Sequence, residues 1–222
     1  MSIENMLKKI LPVLIITLIF TVISCDTNQK IEIKPVEVDN SDLIKNLSEA
    51  IKKSPENPNF YFQRGELFLE SNQLKNAKND FDKTINLMPE ATLAYIYRAK
   101  VFFELKNTEK ATLDYSKAIE LTKELTKDNW ELFKFRGITY MHSQNFNNAA
   151  KDFSKALEIK LEEFQNIENE KIQISDLYYL RGDTFASLKN YDQALSDFQK
   201  ALEFNSKNID AKNSIKKISK IQ

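Results

Sequence analysis

The sequence predicts an all-α protein built from repeated helical hairpins, and two observations carry that prediction. The first is a recurring pattern. Residues 175–208 hold Tyr178, Arg181, Gly182 and Phe185, then Ala194, Asp197, Phe198 and Ala201. The pattern returns as Tyr61, Arg64, Gly65, Phe68, Ala77, Asp80, Phe81 and Thr84, and again as Tyr95, Arg98, Ala99, Phe102, Ala111, Asp114, Tyr115 and Ala118. A further copy reads Phe133, Arg136, Gly137, Tyr140, Ala149, Asp152, Phe153 and Ala156. The second observation is composition: 42% hydrophobic and 29% charged residues with 3 glycines in 222 describe a soluble, helix-rich chain. Where each unit packs only on its neighbours, four units and their ends form one elongated domain.

A helix-turn-helix unit of about 34 residues with this order of aromatic, small and alanine positions resembles the tetratricopeptide repeat. The resemblance covers roughly residues 58–208. It implies a right-handed solenoid with four full repeats, at residues 58–91, 92–125, 130–163 and 175–208. It also implies a binding scaffold.

Ahead of the repeats, Lys8 and Lys9 precede an apolar run over residues 10–23, and Ser24 stands before Cys25, the only cysteine. A charged start, an apolar segment and a small residue before the cut are the parts of a secretory signal peptide. The end of the segment, Val22, Ile23, Ser24 and Cys25, resembles a bacterial lipoprotein box, so residues 1–24 are expected to be removed and Cys25 to carry the lipid. The alternative is an uncleaved anchor helix, but the apolar run reaches only about 21 Å at 1.5 Å per residue. A hydrocarbon core is roughly 30 Å thick. Two or more acyl chains give stable attachment where one is marginal. Residues 25–40 then read as lipidated cysteine and tether, long enough to hold the fold up to about 50 Å from a bilayer.

Residues 41–57 read as an N-terminal capping half-repeat. Ser41 is the candidate N-cap of a helix over residues 42–53, with Leu43, Leu47, Ala50 and Ile51 on one face and Pro55 past its end. Ala50 and Pro55 stand one repeat length before Thr84 and Pro89. Residues 209–222 read as a C-terminal capping helix, with Ile209, Ala211, Ile215, Ile218 and Ile221 among lysines.

Within the repeats, Gly65, Gly137 and Gly182 share one position, which Ala99 fills in the second copy. A glycine inside a helix costs roughly 1 kcal/mol relative to alanine, so a close neighbour is expected there. Ala77, Ala111, Ala149 and Ala194 are the expected facing residues. The unit departs from the family at the turns, where Asn72, Lys106, Gln144 and Lys189 replace the usual glycine, followed by Gln73, Asn107, Asn145 and Asn190. It departs again in spacing, with four residues added after the second unit and eleven after the third. Only the first unit ends on a proline, Pro89, so the second helices of the next two are free to run on. The series Phe153, Ala156, Leu157, Leu161, Phe164 and Ile167 predicts that the second helix of repeat three extends to about residue 170, with Asn129 and Ser175 capping the helices that follow.

The chain carries 32 basic and 32 acidic residues, so no broad basic face is offered to nucleic acid. His142 is the single histidine, and no glycine-rich loop is present to hold phosphates, so neither an enzyme nor a cofactor or metal site is expected. The resemblance instead implies a concave groove lined by the first helices. Its lining would be Asn59, Phe62, Gln63, Glu66 and Leu69 from repeat one, and Leu93, Ile96, Tyr97, Lys100 and Phe103 from repeat two. Repeat three would add Glu131, Lys134, Phe135, Ile138, Met141 and His142, and repeat four Asp176, Tyr179, Leu180, Asp183 and Ala186. Some family members clamp a terminal carboxylate with lysine and asparagine at places held here by Phe62 and Glu66, which disfavours that mode and leaves an apolar, partly aromatic groove. Aromatic groove residues are expected to be exposed, and their loss to cost little stability.

One further pattern is independent of the aromatic signature. Arg64, Arg98, Arg136 and Arg181 each precede Asp80, Asp114, Asp152 and Asp197 by one constant offset, which predicts ion pairs within a hairpin or between neighbouring ones. The expected function is a membrane-anchored scaffold or adaptor for other proteins of the bacterial cell envelope, at the inner or the outer membrane and facing outside the cytoplasm. The alternative is a receptor for free peptides or small ligands.

Overall fold

The structure is a computed structural model that describes residues 40–122, 129–162 and 164–220. Residues 1–39, with the expected signal segment, lipidated Cys25 and nearly all of the tether, lie outside the described residues. Among the described residues ten helices follow one another: α1 (Ser41–Lys53), α2 (Pro58–Glu70), α3 (Leu74–Leu87), α4 (Thr92–Glu104), α5 (Thr108–Leu121), α6 (Trp130–His142), α7 (Phe146–Glu162), α8 (Glu168–Ser187), α9 (Tyr191–Phe204) and α10 (Ile209–Ile218). Each packs against its sequence neighbours, so α2–α3, α4–α5, α6–α7 and α8–α9 are hairpins stacked between α1 and α10. First helices also touch one another, α2 on α4 and α6 on α8, and α8 meets α10, which forms an inner layer behind which the second helices lie. The fold is an α-solenoid of helical repeats.

Every hairpin turn is made the same way. Asn72, Lys106, Gln144 and Lys189 take left-handed backbone, with φ of 56°, 61°, 59° and 59°. The next residue's N–H then reaches back to a carbonyl of the helix just ended, as from Gln73 to Phe68 at 2.7 Å and Asn190 to Phe185 at 2.9 Å. These are Schellman closures without the usual glycine. Asn107 and Asn190 accept from Lys110 N–H and Gln193 N–H, so one residue closes a helix and caps the next.

The nearest neighbours of the glycines are rings, and of the expected alanines only Ala194, through its carbonyl at 3.2 Å from a Cβ at Gly182, stands as close. A Cβ added at Gly65, Gly137 or Gly182 would stand 2.8 Å from the edge of Phe81, Phe153 or Phe198. Each of those phenylalanines is fully buried, and Tyr115, at the same repeat position in the unit that carries Ala99, is buried too. The ring stands close enough to the helix backbone that a methyl group collides with it.

Several expected boundaries are corrected. The second helix of repeat three does not run to residue 170: α7 stops at Glu162, Asn166 turns the chain with φ 61°, and α8 starts at Glu168. The added residues are therefore shared between a 17-residue α7, against 14 residues for α3, α5 and α9, and a 20-residue α8, against 13 for α2, α4 and α6. Glu170 holds the break by accepting from Gln165 N–H at 2.9 Å. Phe164 packs on Phe204 while Ile167 is exposed, so the helical spacing of the apolar series survives a break in the helix.

Ser175 accordingly caps nothing. It sits buried inside α8, donates to the Ala201 carbonyl at 2.8 Å and accepts from Asn208 at 2.9 Å. In repeat two α5 does not run on, ending at Leu121, where Thr122 turns its hydroxyl back to the Ala118 carbonyl. At the N-terminus the cap position is Asn40, one residue before Ser41. Leu43 and Ile209, placed on apolar faces by pattern, are exposed, each in the first turn of a helix that ends the stack. Asn129 stands at the N-cap position of α6.

Candidate partner groove and the arginine ladder

Four arginines occupy equivalent places on the first helices, and each holds the aspartate of its own hairpin with two parallel bonds. Arg64 Nε and Nη2 donate to Asp80 Oδ2 and Oδ1, both at 2.7 Å. Arg98 does the same to Asp114 at 2.8 and 2.7 Å, while Arg136 to Asp152 and Arg181 to Asp197 stand at 2.8 Å throughout. The third nitrogen, Nη1, reaches the preceding unit. It donates to Ser48, Asp82, Ser116 and Ser154 respectively. The hydrogen bond to the carboxylate holds the Arg64 and Arg136 guanidinium pKa values above the ordinary range. The aspartates are buried, and the guanidinium carbons of Arg64, Arg98 and Arg136 lie near rings one turn away on either side, for Arg98 at 5.5 Å from Tyr95 and 5.9 Å from Phe102, while that of Arg181 lies 5.5 Å from Tyr178. Such a unit stiffens both a hairpin and its junction with the one before.

The expected groove residues fall in two clefts, in a hollow beside α10, and outside all three. Leu93, Ile96, Tyr97, Lys100 and Phe135 line one cleft of about 360 Å³ between α4 and α6, with Leu132 and Glu131 beside them. Lys134 and Tyr179 line a second of about 380 Å³ between α6 and α8, with Trp130, Asp176, Leu180 and Asp210. Asp183 instead faces a hollow against α10, with Tyr191, Ser214 and Lys217. Ile138 and Met141 pack against the buried core, Phe103 meets the exposed ring of His142 edge-on at 4.8 Å, and Phe62 and Glu66 sit half-buried on α2. Trp130, Leu132 and Asp210 were not anticipated; the single tryptophan, opening a first helix, was the available signal.

The aromatic lining is half-buried, not exposed as expected. Phe62 and Tyr97 meet edge-on at 5.4 Å, and both rest on buried Phe81 at 5.8 and 5.7 Å. Phe135 stacks on Tyr115 at 6.3 Å and Tyr179 leans on Phe198 at 5.8 Å. One face of each ring therefore completes the core and the other faces the groove, so removing a ring costs stability as well as surface.

Charge alternates along the lining. Burial raises the Glu66 pKa, and the Glu66 carboxylate lies beside the Tyr97 hydroxyl. Burial together with Glu66 pushes Tyr97 up to about 12. Lys100 Nζ lies 4.8 Å from the Tyr97 ring and 5.6 Å from Phe135, and Lys134 Nζ lies 4.6 Å from both Phe135 and Trp130. Burial lowers the Lys134 pKa and raises that of Asp176 beyond it. Among the described residues no group of three histidine, cysteine or acidic side chains could hold a metal ion, and no helix is long and apolar enough to cross a membrane.

Comparison with known proteins follows the geometry. The tetratricopeptide repeat profile matches residues 175–208. The matched hairpin is thus a tetratricopeptide repeat, set in an α-solenoid of helical repeats. The other three hairpins keep the glycine or alanine, aromatic, arginine and aspartate places of the matched one. A fragment of a TPR repeat-containing protein from Cytophaga hutchinsonii is 18% identical, with a TM-score of 0.60 over 76% of this chain and 60% of that one. MamA from Desulfovibrio magneticus RS-1 is 15% identical, with a TM-score of 0.64 over 76% of this chain and 87% of that one. BtubC from P. vanneervenii is 15% identical, with a TM-score of 0.68 over 77% and 74%. No curated protein sequence matches the chain. Tetratricopeptide folds are generally protein-interaction modules, and the half-buried lining of α4, α6 and α8 is where this solenoid offers mixed apolar and charged surface.

Proposed function

We propose that the protein is a lipid-anchored, non-enzymatic adaptor of the bacterial cell envelope, facing outside the cytoplasm, whose groove receives a segment of a partner protein. The observation that carries the binding half is the row of half-buried rings and lysines on the first helices, from Tyr97 and Lys100 through Lys134 and Phe135 to Tyr179. A pocket that is mostly apolar with a few placed charges suits a side chain of a partner better than bulk water. What supports the anchor is Cys25 behind its apolar run.

Co-purification of the detergent-solubilised protein tests the function. A stoichiometric partner that is lost when Phe135 becomes serine, in a variant still folded by circular dichroism, supports the adaptor. A dissociable small ligand in its place supports a receptor. The anchor is tested separately by mass spectrometry, where an unmodified Cys25 in the mature chain contradicts it.

A further inference from the structure

Resting on the groove reading, we propose that the second and third repeats take one acidic side chain flanked by apolar residues, from an extended segment of the partner, seated between Lys100 and Lys134 over the ring of Phe135. The two ammonium groups share that ring, at 5.6 and 4.6 Å from its centroid. Among the described residues neither forms an ion pair, although four other lysines do. Burial lowers the Lys134 pKa, Glu131 and Asp176 oppose that, and Lys100 adds to it, so this ammonium is both desolvated and repelled by its neighbour. A carboxylate arriving between them relieves both, in a site where water screens little.

The surroundings select the form of the anion. Leu93, Ile96 and Leu132 line the cleft on the Lys100 side and Leu180 the one on the Lys134 side. A bare anion such as phosphate leaves those apolar walls uncovered, whereas a peptide with leucine or isoleucine beside its acid covers them. Glu66 on one side and Asp176 on the other bound the basic pair, so a chain of many negative charges meets repulsion at both ends. The charge order fits a single acidic residue in an otherwise apolar or basic stretch.

A display library of random peptides about twelve residues long, selected on the detergent-solubilised full chain, tests this. The selected peptides are expected to carry one Asp or Glu beside Leu, Ile or Phe. A resynthesised peptide should lose about tenfold in affinity when that acid becomes its amide, and by a similar factor in the Lys100→Gln, Lys134→Gln double variant, while Lys134→Arg retains binding. Selected peptides without an acid, an acid preference unchanged in the double variant, or displacement by equimolar inorganic phosphate each overturn the inference. Acid-free peptides whose binding is lost in Ile96→Ser remove only the lysine assignment and leave the groove standing. No selected peptide at all counts against both.

Discussion

Arg98 Nη1 donates to Asp82 on the second helix of the preceding hairpin at 2.7 Å, while Nε and Nη2 of the same guanidinium hold Asp114 of its own. One side chain thus joins two repeats, and the fork of arginine supplies the geometry that a lysine lacks. Arg64, Arg136 and Arg181 do the same with a serine hydroxyl in the place of Asp82. A double-mutant cycle on Arg98 and Asp82 should give a coupling of about 1 kcal/mol, and one on Arg181 and Asp197 about 2 kcal/mol, because the second pair is bidentate and its carboxylate is buried. Removing Arg181 alone should cost about 3 kcal/mol by stranding that carboxylate. Urea unfolding of the four proteins of each cycle measures these values, and additivity at Arg181 and Asp197 contradicts the ladder's energetic role.

Gly182→Ala should destabilise the chain. Its new methyl group meets the Phe198 ring at 2.8 Å and the Ala194 carbonyl at 3.2 Å. The helix gains about 1 kcal/mol from alanine, but overpacking costs about 1 to 3 kcal/mol, so a net loss near 1 kcal/mol is expected. With Phe198→Leu as the background the sign should reverse, since the ring edge is gone. Thermal unfolding of the two pairs reads the difference directly.

How much of this was legible in the sequence depends on whether the repeats copy it. The small residue on the first helix and the Arg–Asp offset of 16 recur in every unit, so they stand out before any coordinates. The ring that meets the glycine was hidden because an alanine, Ala77, Ala149 or Ala194, shares its helix and offers itself as the small facing residue. The Nη1 partners were illegible because their offsets are 16, 16, 20 and 27, stretched by the added residues between units. The break at Asn166 was hidden for a different reason: Phe164, just before the turn, still packs on Phe204, while Leu161 and Ile167 keep the apolar spacing in the sequence though both are exposed. Half-burial of Tyr97 follows from Phe81 beneath it, a contact between repeats that no local pattern contains.

Lys189→Gly and Lys106→Gly should stabilise the protein. Both lysines hold φ near 60°, at a cost of about 1 kcal/mol or more for a residue with a Cβ. Glycine removes that cost but adds unfolded-state entropy, leaving a net gain of about 0.5 kcal/mol each. A rise in melting temperature of roughly 1 to 2 °C per site is the expected reading. Lys75→Gly, inside helix α3, should lower it instead.

Asp183 gives a pH-dependent outcome. Burial raises its folded pKa above the ordinary 3.8, with Lys217 opposing the shift. The folded state therefore holds the proton more tightly than the unfolded one, and its contribution is fully present below 3.8 and lost as pH rises through the folded value. Asp183→Asn should match the wild type in stability at about pH 3 and exceed it increasingly toward neutrality. Chemical denaturation across that range checks the sign, and an advantage that grows on acidification contradicts it.

The groove itself is tested most directly by photo-crosslinking in cells. Leu93, in the cleft between α4 and α6, is 58% exposed, and Leu113, on the second helix of the same hairpin, is 64% exposed. A photoreactive phenylalanine at either place meets solvent equally, so only a bound partner distinguishes them. Position 93 should give a discrete crosslinked protein that disappears with Lys100→Gln, Lys134→Gln, and position 113 should give none. Equal crosslinking from both places, or none from position 93, contradicts a partner segment held in the groove.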